Sequence, residues 1–532
     1  MLGLNMYHPQ VALTGCRAIA AGAFVLVAVG CADPEEPVRD IKGGDGGLRL
    51  SLPGEPRSLN PNLFPLDEYT LIVTQNVFSR LVTRASDGTV LPELAERWTE
   101  SADGQTYTFH LRKDVRFHDG MPLTSEDVRS TFARIGESSN VEVAQRIGTV
   151  DAPDPATVNV HLKAPWAAFI PSIAWYGASI LPAHVYGATA WKDNPANRKP
   201  IGSGPFKFKS WEPGRRIVLE KNPAFFGQGP YVDELEYLIT PTAAEAVRLL
   251  VDGHAELALG RPPAAMVRQL GHTPGLRLVM APSDARTYLA FNVRRAPFDD
   301  VRMRRAVNLA LDRQALIGNV MNGLGMPAFG FYTPAVAWAY NGAARVPAFE
   351  PLEAIRLVRT LHPPPVTLAF VGPPGAAPMP VSAEIVRQLT AVGLRVNAVP
   401  VPAAAFVDYL RAGEGFDMVV LSGSQGPDPD TMTARFGSTG SMQMMGYSNP
   451  ELDRVLARGG ALADPAARAP LYFRAQEILA DDLPIAPLFE PLRIVVYRDR
   501  LRGVPDDDAR GLVAEYTFNL VRMPASLSRT ER

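Results

Sequence analysis

The chain has 532 residues, beyond the roughly 250 to 300 at which one hydrophobic core stops growing, so two or more packed lobes are expected. Apolar residues make up 46% and charged residues 20%, which excludes a disordered chain and one embedded throughout in a membrane. A formal net charge of -2 with no long basic run leaves no nucleic-acid surface.

At the start, Arg17 precedes the apolar run 18–29, which reads as an export signal over 1–31. The run is too short for a bilayer, which needs roughly 20 helical residues. The small residues Val27-Ala28-Val29-Gly30 before Cys31 resemble a bacterial lipobox, with Ala28 where that signal usually has Leu. The resemblance implies that Cys31 is lipidated and anchors the chain to a membrane; the plainer reading of Cys31 is a small residue within the signal. The only other cysteine, Cys16, precedes the cleavage point, so the mature domain offers no disulfide and no Cys-based metal site. Residues 32–45 are acidic, contain Pro and Gly and are poor in apolar residues, as suits a flexible tether.

Beyond the tether, strand-like runs alternate with amphipathic windows, which predicts an α/β fold. Strands are expected at 48–52, 105–111, 157–162, 217–220, 235–239, 276–280, 288–292, 366–370, 395–399, 417–421 and 494–497. In 105–111, Tyr107, Phe109 and Leu111 share one face, a period of two that fits a half-buried strand. Thr124 with the acidic Glu126-Asp127 looks like a helix N-cap and first turn, followed by Val128, Phe132 and Ile135 at helical spacing. Further helices are expected at 300–321, 381–392, 403–411, 450–457 and 466–480. There are 49 prolines, well above the roughly 5% average, so many connections are stiff.

Motifs for chemistry are missing. The chain has no H-E-x-x-H, no phosphate-binding G-x-x-x-x-G-K-[ST] and no G-x-S-x-G. Gly202-Ser203-Gly204 and Gly323-Leu324-Gly325 read as turns. His118 beside Asp119 has the residue types of an acid–base pair, but neighbours in a turn point apart. Glu126-Asp127 and Asp299-Asp300 stand where helices begin, which the helix dipole explains. No catalytic residue, metal site or cofactor is expected.

Three successive runs, LPELAERW at 91–98, ADGQTYTFHLR at 102–112 and FHDGMPLTSEDV at 117–128, closely resemble the extracellular solute-binding protein family 5. These are the oligopeptide, dipeptide and nickel-chelate receptors of ABC importers. The resemblance continues through SLNP at 58–61, PIGSGPF at 200–206, KNPAFF at 221–226, FN at 291–292, PFDDVR at 297–302, residues 306–312, PDP at 427–429, YSNP at 447–450 and Asp453. Ser203 stands where Thr is usual, and Phe225-Phe226 where Tyr-Trp is usual.

The resemblance implies a two-lobed periplasmic binding protein fold with a ligand cleft between the lobes. Lobe one would comprise 46–285 and 487–525, with an embedded subdomain about 84–197, and lobe two would comprise 286–486. The hinge would lie near 283–288 and 483–487. The partners implied are a peptide-like or small polar solute, the permease subunits of an ABC transporter and, through the lipid anchor, a membrane, for a periplasmic monomer.

In peptide-binding members an Asp shortly before a Pro-Asp-Pro-like motif pairs with the peptide's ammonium. Here the motif is Pro427-Asp428-Pro429, and the matching position is Gln425. An amide supplies no countercharge, so an ordinary free N-terminus is a less secure ligand feature. Ser424, Gln425 and Asp428 are the candidate ligand neighbours on this side, Asp428 having a turn-closing role as its alternative. Phe64 and Asp67, just after Leu59-Asn60-Pro61, are the candidates across the cleft. A receptor for a metal chelate, an opine or a sugar is the alternative within the class, and a cleft hydrolase the alternative outside it.

Overall fold

The computed structural model describes residues 47–504 with 518, 520 and 521, apart from 65–66, 86–87, 138–140, 176–177, 260–261 and 284. The expected signal, the tether and Cys31 lie outside the described residues.

Alternation builds the first core. The strand Gly47–Leu52 pairs in parallel with Glu234–Ile239 and Leu257–Ala258, and buries Leu48, Leu50 and Leu52 completely. A separate four-stranded antiparallel sheet runs in the order Ala95–Glu100, Thr106–Leu111, Thr157–Leu162, Ile147–Asp154. Tyr107, Phe109 and Leu111 turn inward as the period of two requires, and Val158, Val160 and Leu162 join them from the neighbouring strand. The helix Ser125–Ala133 begins as expected at Thr124, whose N–H donates to Asp127 Oδ2 at 2.8 Å. These elements share one continuous core with Trp166, Phe206, Tyr237 and Tyr497.

A second sheet is apolar on both faces. Leu289, Phe291, Leu368 and Met418 pack into one cluster, while Ala290, Ala369 and Val419 pack into another on the opposite face. That is why 366–370 and 417–421 read as continuous apolar runs. Helices Val301–Ala310, Pro351–Leu361 and Pro380–Ala391 cover the first face, and Pro450–Ala461 and Pro465–Asp482 the second.

One strand belongs to both sheets. Ile485–Arg498 pairs with Leu276–Pro282 along its second half and with Ala285–Phe291 along its first. Opposite it, the chain passes from one sheet to the other between Pro282 and Ala285. Only 494–497 is legible in the sequence, because Pro484, Pro487 and Pro491 mark the earlier part as a break. The expected helix 300–321 also divides. Leu311 is extended, and Asp312 caps a second helix, Arg313–Met321, by accepting from the Ala315 N–H at 3.0 Å.

Beside the crossing lies a buried ion pair. Arg286 and Glu490, 2% and 4% exposed, meet at 2.5 Å through Arg286 Nη2 and Glu490 Oε1. The guanidinium also donates to the carbonyls of Gly330 at 2.8 Å and Tyr332 at 2.7 Å. Removing one partner leaves a buried charge unpaired, so Glu490→Ala is expected to lower stability by about 3–5 kcal/mol. The double variant Arg286→Met/Glu490→Leu should recover most of that loss. Urea unfolding of the three proteins checks both.

Candidate functional site

The strand Met418–Ser424 runs antiparallel to Ala285–Phe291, and its last residue pairs with Ala285, the first residue past the crossing. The turn that follows, 425–430, ends against the other core. Asp430 Oδ2 accepts from the indole Nε1–H of Trp166 at 2.7 Å, and the Gly460 carbonyl accepts from the Ala167 N–H at 2.9 Å. Trp166 belongs to the first core, whereas the strand before the turn and Met432 after it belong to the second sheet's packing. Gln425 therefore stands between the crossing and a contact that joins the two cores.

Local chemistry shapes the turn. Gly426 has φ +84°, and a Cβ there would collide with Thr431 Cγ2, so glycine is required on both counts. Thr431 Oγ1 donates to the Gln425 carbonyl at 2.6 Å and to the Asp428 carbonyl at 3.1 Å. Asp428 Oδ1 accepts from the Asp430 N–H at 2.9 Å.

Both carboxylate oxygens of Asp428 are engaged by Arg468, at 2.9 Å through Nη1 and 2.6 Å through Nη2. Arg468 also donates from Nε to the Gly459 carbonyl at 2.9 Å and from Nη2 to Tyr472 Oη at 3.1 Å. Burial works against its charge, but the hydrogen bonds and charge of Asp428 outweigh this and raise its pKa. Arg468 thus fixes the turn and positions the Gly459-Gly460 corner that meets Ala167. A Cβ on Gly460 would lie 2.8 Å from Asp430 Oδ1, which keeps that corner open. Asp430 itself is 2% exposed. Burial pushes its carboxyl upward and the charge of Asp428 adds to this, against the hydrogen bonds from Trp166 and Thr433.

Gln425 is 3% exposed, and among the described residues its side-chain Nε2 reaches only the Gly423 carbonyl, at 3.4 Å, too long for a strong bond. Ser424 Oγ accepts from the Gly426 N–H at 3.0 Å, and its carbonyl accepts from Arg435. Phe64 and Asp67 share a different turn. The Arg57 guanidinium stacks over Phe64 at 4.4 Å, while Asp67 Oδ2 accepts from the Arg57 N–H at 3.0 Å and Thr70 Oγ1 at 2.6 Å. The structure thus brings Ser424, Gln425 and Asp428 into one turn, and Phe64 and Asp67 into another.

His118 and Asp119 do point apart. His118 lies against the Gly202 N–H and the Gly204 carbonyl, and burial holds its pKa down at about 4. Asp119 pairs instead with His184 at 2.7 Å. Among the described residues, no group of three or more His, Cys, Asp or Glu is placed to hold a metal ion, and no helix is long and apolar enough to cross a membrane.

Sequence reading missed Arg468, Trp166 and Arg435. Trp166 lies 264 positions from its partner and Arg468 lies 40 from its own, so spacing carries no trace of either pair. One signal was available: Arg468 shares a helical stripe with Tyr472, Ala475 and Leu479, all buried. A cation on an apolar stripe demands a buried partner.

The family model for bacterial extracellular solute-binding proteins, family 5 Middle, matches residues 89–444. A probable di/tripeptide-binding protein 5 of Pseudomonas aeruginosa is 28% identical over 484 residues, covering 84% of this chain and 91% of that protein. The peptide transport periplasmic protein SapA of Salmonella typhimurium is 27% identical over 522 residues, covering 91% and 94%. Among solved structures, a putative peptide binding protein AppA from Clostridium difficile superposes with a TM-score of 0.80 at 22% identity, over 90% of this chain and all of that one (100%). AgaA from A. tumefaciens R10, solved with agropinic acid, superposes with a TM-score of 0.78 at 24% identity, over 92% and 99%. These structures share the mixed α/β, two-lobed fold.

Trp166→Phe keeps a ring in the first core but removes the donor to buried Asp430, and is expected to lower stability by about 1–3 kcal/mol in urea unfolding. The pH dependence has a definite sign. Folding raises the Asp430 pKa, so the folded state binds that proton more tightly, and the stability this group contributes falls as pH rises from about 4. Asp430→Asn removes that slope. Its stability relative to the unsubstituted protein should therefore climb with pH across the same range, as urea midpoints measured in a pH series would show.

Proposed function

The chain belongs to the bacterial extracellular solute-binding proteins of family 5, and on that premise we propose that it is a periplasmic, lipid-anchored receptor that captures a peptide or peptide-like solute and delivers it to an ABC permease. The family consists of transport binding proteins rather than enzymes. The observation that carries the reading is the buried turn at 425–430, placed between the crossing strands and a contact joining two cores. A solute held there touches both cores at once, so its binding favours the closed arrangement by its differential affinity for the two states. Relatives named for di- and tripeptide binding support a peptide-like cargo.

In this proposal lobe one comprises 46–285 and 487–525, with the subdomain about 84–197, and lobe two comprises 286–486. Cys31 carries the lipid. Phe64 and Asp67 approach the cargo from lobe one, and Ser424 and Gln425 from lobe two. Asp428 serves binding through the turn it holds with Arg468. The neutral Gln425 amide favours cargo without a free ammonium at this point, which keeps opine-like and other non-peptide solutes in view.

Incubating the purified protein with a defined peptide mixture tests the reading. Peptides are expected to be retained without cleavage; product release with turnover would overturn it. Gln425→Asp is expected to tighten binding of free-amine peptides by about tenfold or more, equivalent to roughly 1.4 kcal/mol, in calorimetric titration.

A further inference from the structure

The two carboxylates of this turn are already engaged. Asp428 has both oxygens on Arg468. Asp430 is held by Trp166 and Thr433 at 2.7 and 2.9 Å, and the charge of Arg146, whose guanidinium lies 5.5 Å over the Trp166 ring, favours its ionised form. Neither carboxylate is left to receive a cation from outside. Arg435, on the helix Thr431–Phe436 that closes the turn, is different. Its Nη2 donates to the Ser424 carbonyl, and no carboxylate among the described residues forms an ion pair with it. A guanidinium carries five N–H donors, and among the described residues only the Ser424 carbonyl accepts from it. Arg435 thus touches the residue that immediately precedes Gln425, whose own amide N–H groups have, among the described residues, only the long 3.4 Å contact.

With Asp428 and Asp430 already engaged, Arg435 on the Ser424 carbonyl and the amide of the next residue, Gln425, leave donors at this turn. An ammonium there could meet the Gln425 amide oxygen but would find no carboxylate to balance its charge as it loses water. A carboxylate would accept from both Arg435 and Gln425, and guanidinium–carboxylate bonds are the strong, charge-assisted kind. Resting on the receptor reading above, we infer that Arg435 is a specificity-determining residue and that the cargo presents an anionic group, a carboxylate, to Gln425 and Arg435.

Three matched sets of short peptides separate the outcomes: one with free amino ends, one N-acetylated and one N-succinylated, each titrated calorimetrically into the full protein. The succinylated set is expected to bind about tenfold or more tightly than the free-amine set. Raising salt from about 0.05 to 0.5 M should shrink that preference. Arg435→Gln should bring succinylated affinity down to the acetylated level, and Arg435→Lys should retain part of the preference. A preference for free amines, a succinyl preference insensitive to salt, or one unchanged in Arg435→Gln overturns the inference and leaves the receptor reading standing. Failure of the wild-type protein to retain any of the three sets overturns the reading of a peptide or peptide-like cargo itself.

Discussion

A single strand that two sheets must share governs the arrangement of this molecule. Ile485–Arg498 cannot shift along one partner without shifting along the other, because Leu276–Pro282 and Ala285–Phe291 hold its two halves in register. The chain crosses between the sheets twice at nearly the same place, once within this strand and once between Pro282 and Ala285. Arg286 and Glu490 sit at that place, buried and bonded to each other and to the Gly330 and Tyr332 carbonyls. Such a pair is weak evidence for stability, since desolvation offsets most of its attraction. Its geometry is demanding, however, and that fixes how the two sheets meet.

The seam inherits its shape from this junction. Ser424 is held at the crossing by its pairing with Ala285, and the six residues after it reach Trp166 in the opposite core. Two buried arrangements span that short distance: the Asp428–Arg468 pair, which belongs to one side, and the Asp430–Trp166 bond, which joins both sides. The first makes the turn rigid and the second makes it a boundary. A solute between them would meet a surface whose acidic groups already have partners, so the neutral and cationic side chains, Gln425 and Arg435, set the polarity it encounters.

Much of the fold was legible because it rests on local periodicity. The inward set Tyr107, Phe109 and Leu111 and the cap at Thr124 follow from spacing alone, and the long ordered match at 91–128 carried the family. Features that depend on distant partners were not legible. Pro487 and Pro491 lie inside a strand whose neighbours tolerate them, a fact about register rather than composition. The helix break at Leu311 depends on Asp312 capping the next turn and on Arg313 being drawn inward to the carbonyls of Ala328 and Pro487. At the site, the Pro-Asp-Pro motif located the turn, but nothing nearby in sequence announces that Asp428 is committed to Arg468. The charge of the corner emerged only once its partners had been assigned.

If cargo is held in this seam, its arrival must slow solvent exchange there more than elsewhere. Hydrogen–deuterium exchange of the purified protein, with and without a saturating casein hydrolysate, measures this directly. Protection is expected at the amides of 423–431 and of 58–64 together, since both turns would face the bound solute. Binding of hydrolysate peptides that leaves exchange at both turns unchanged would contradict it.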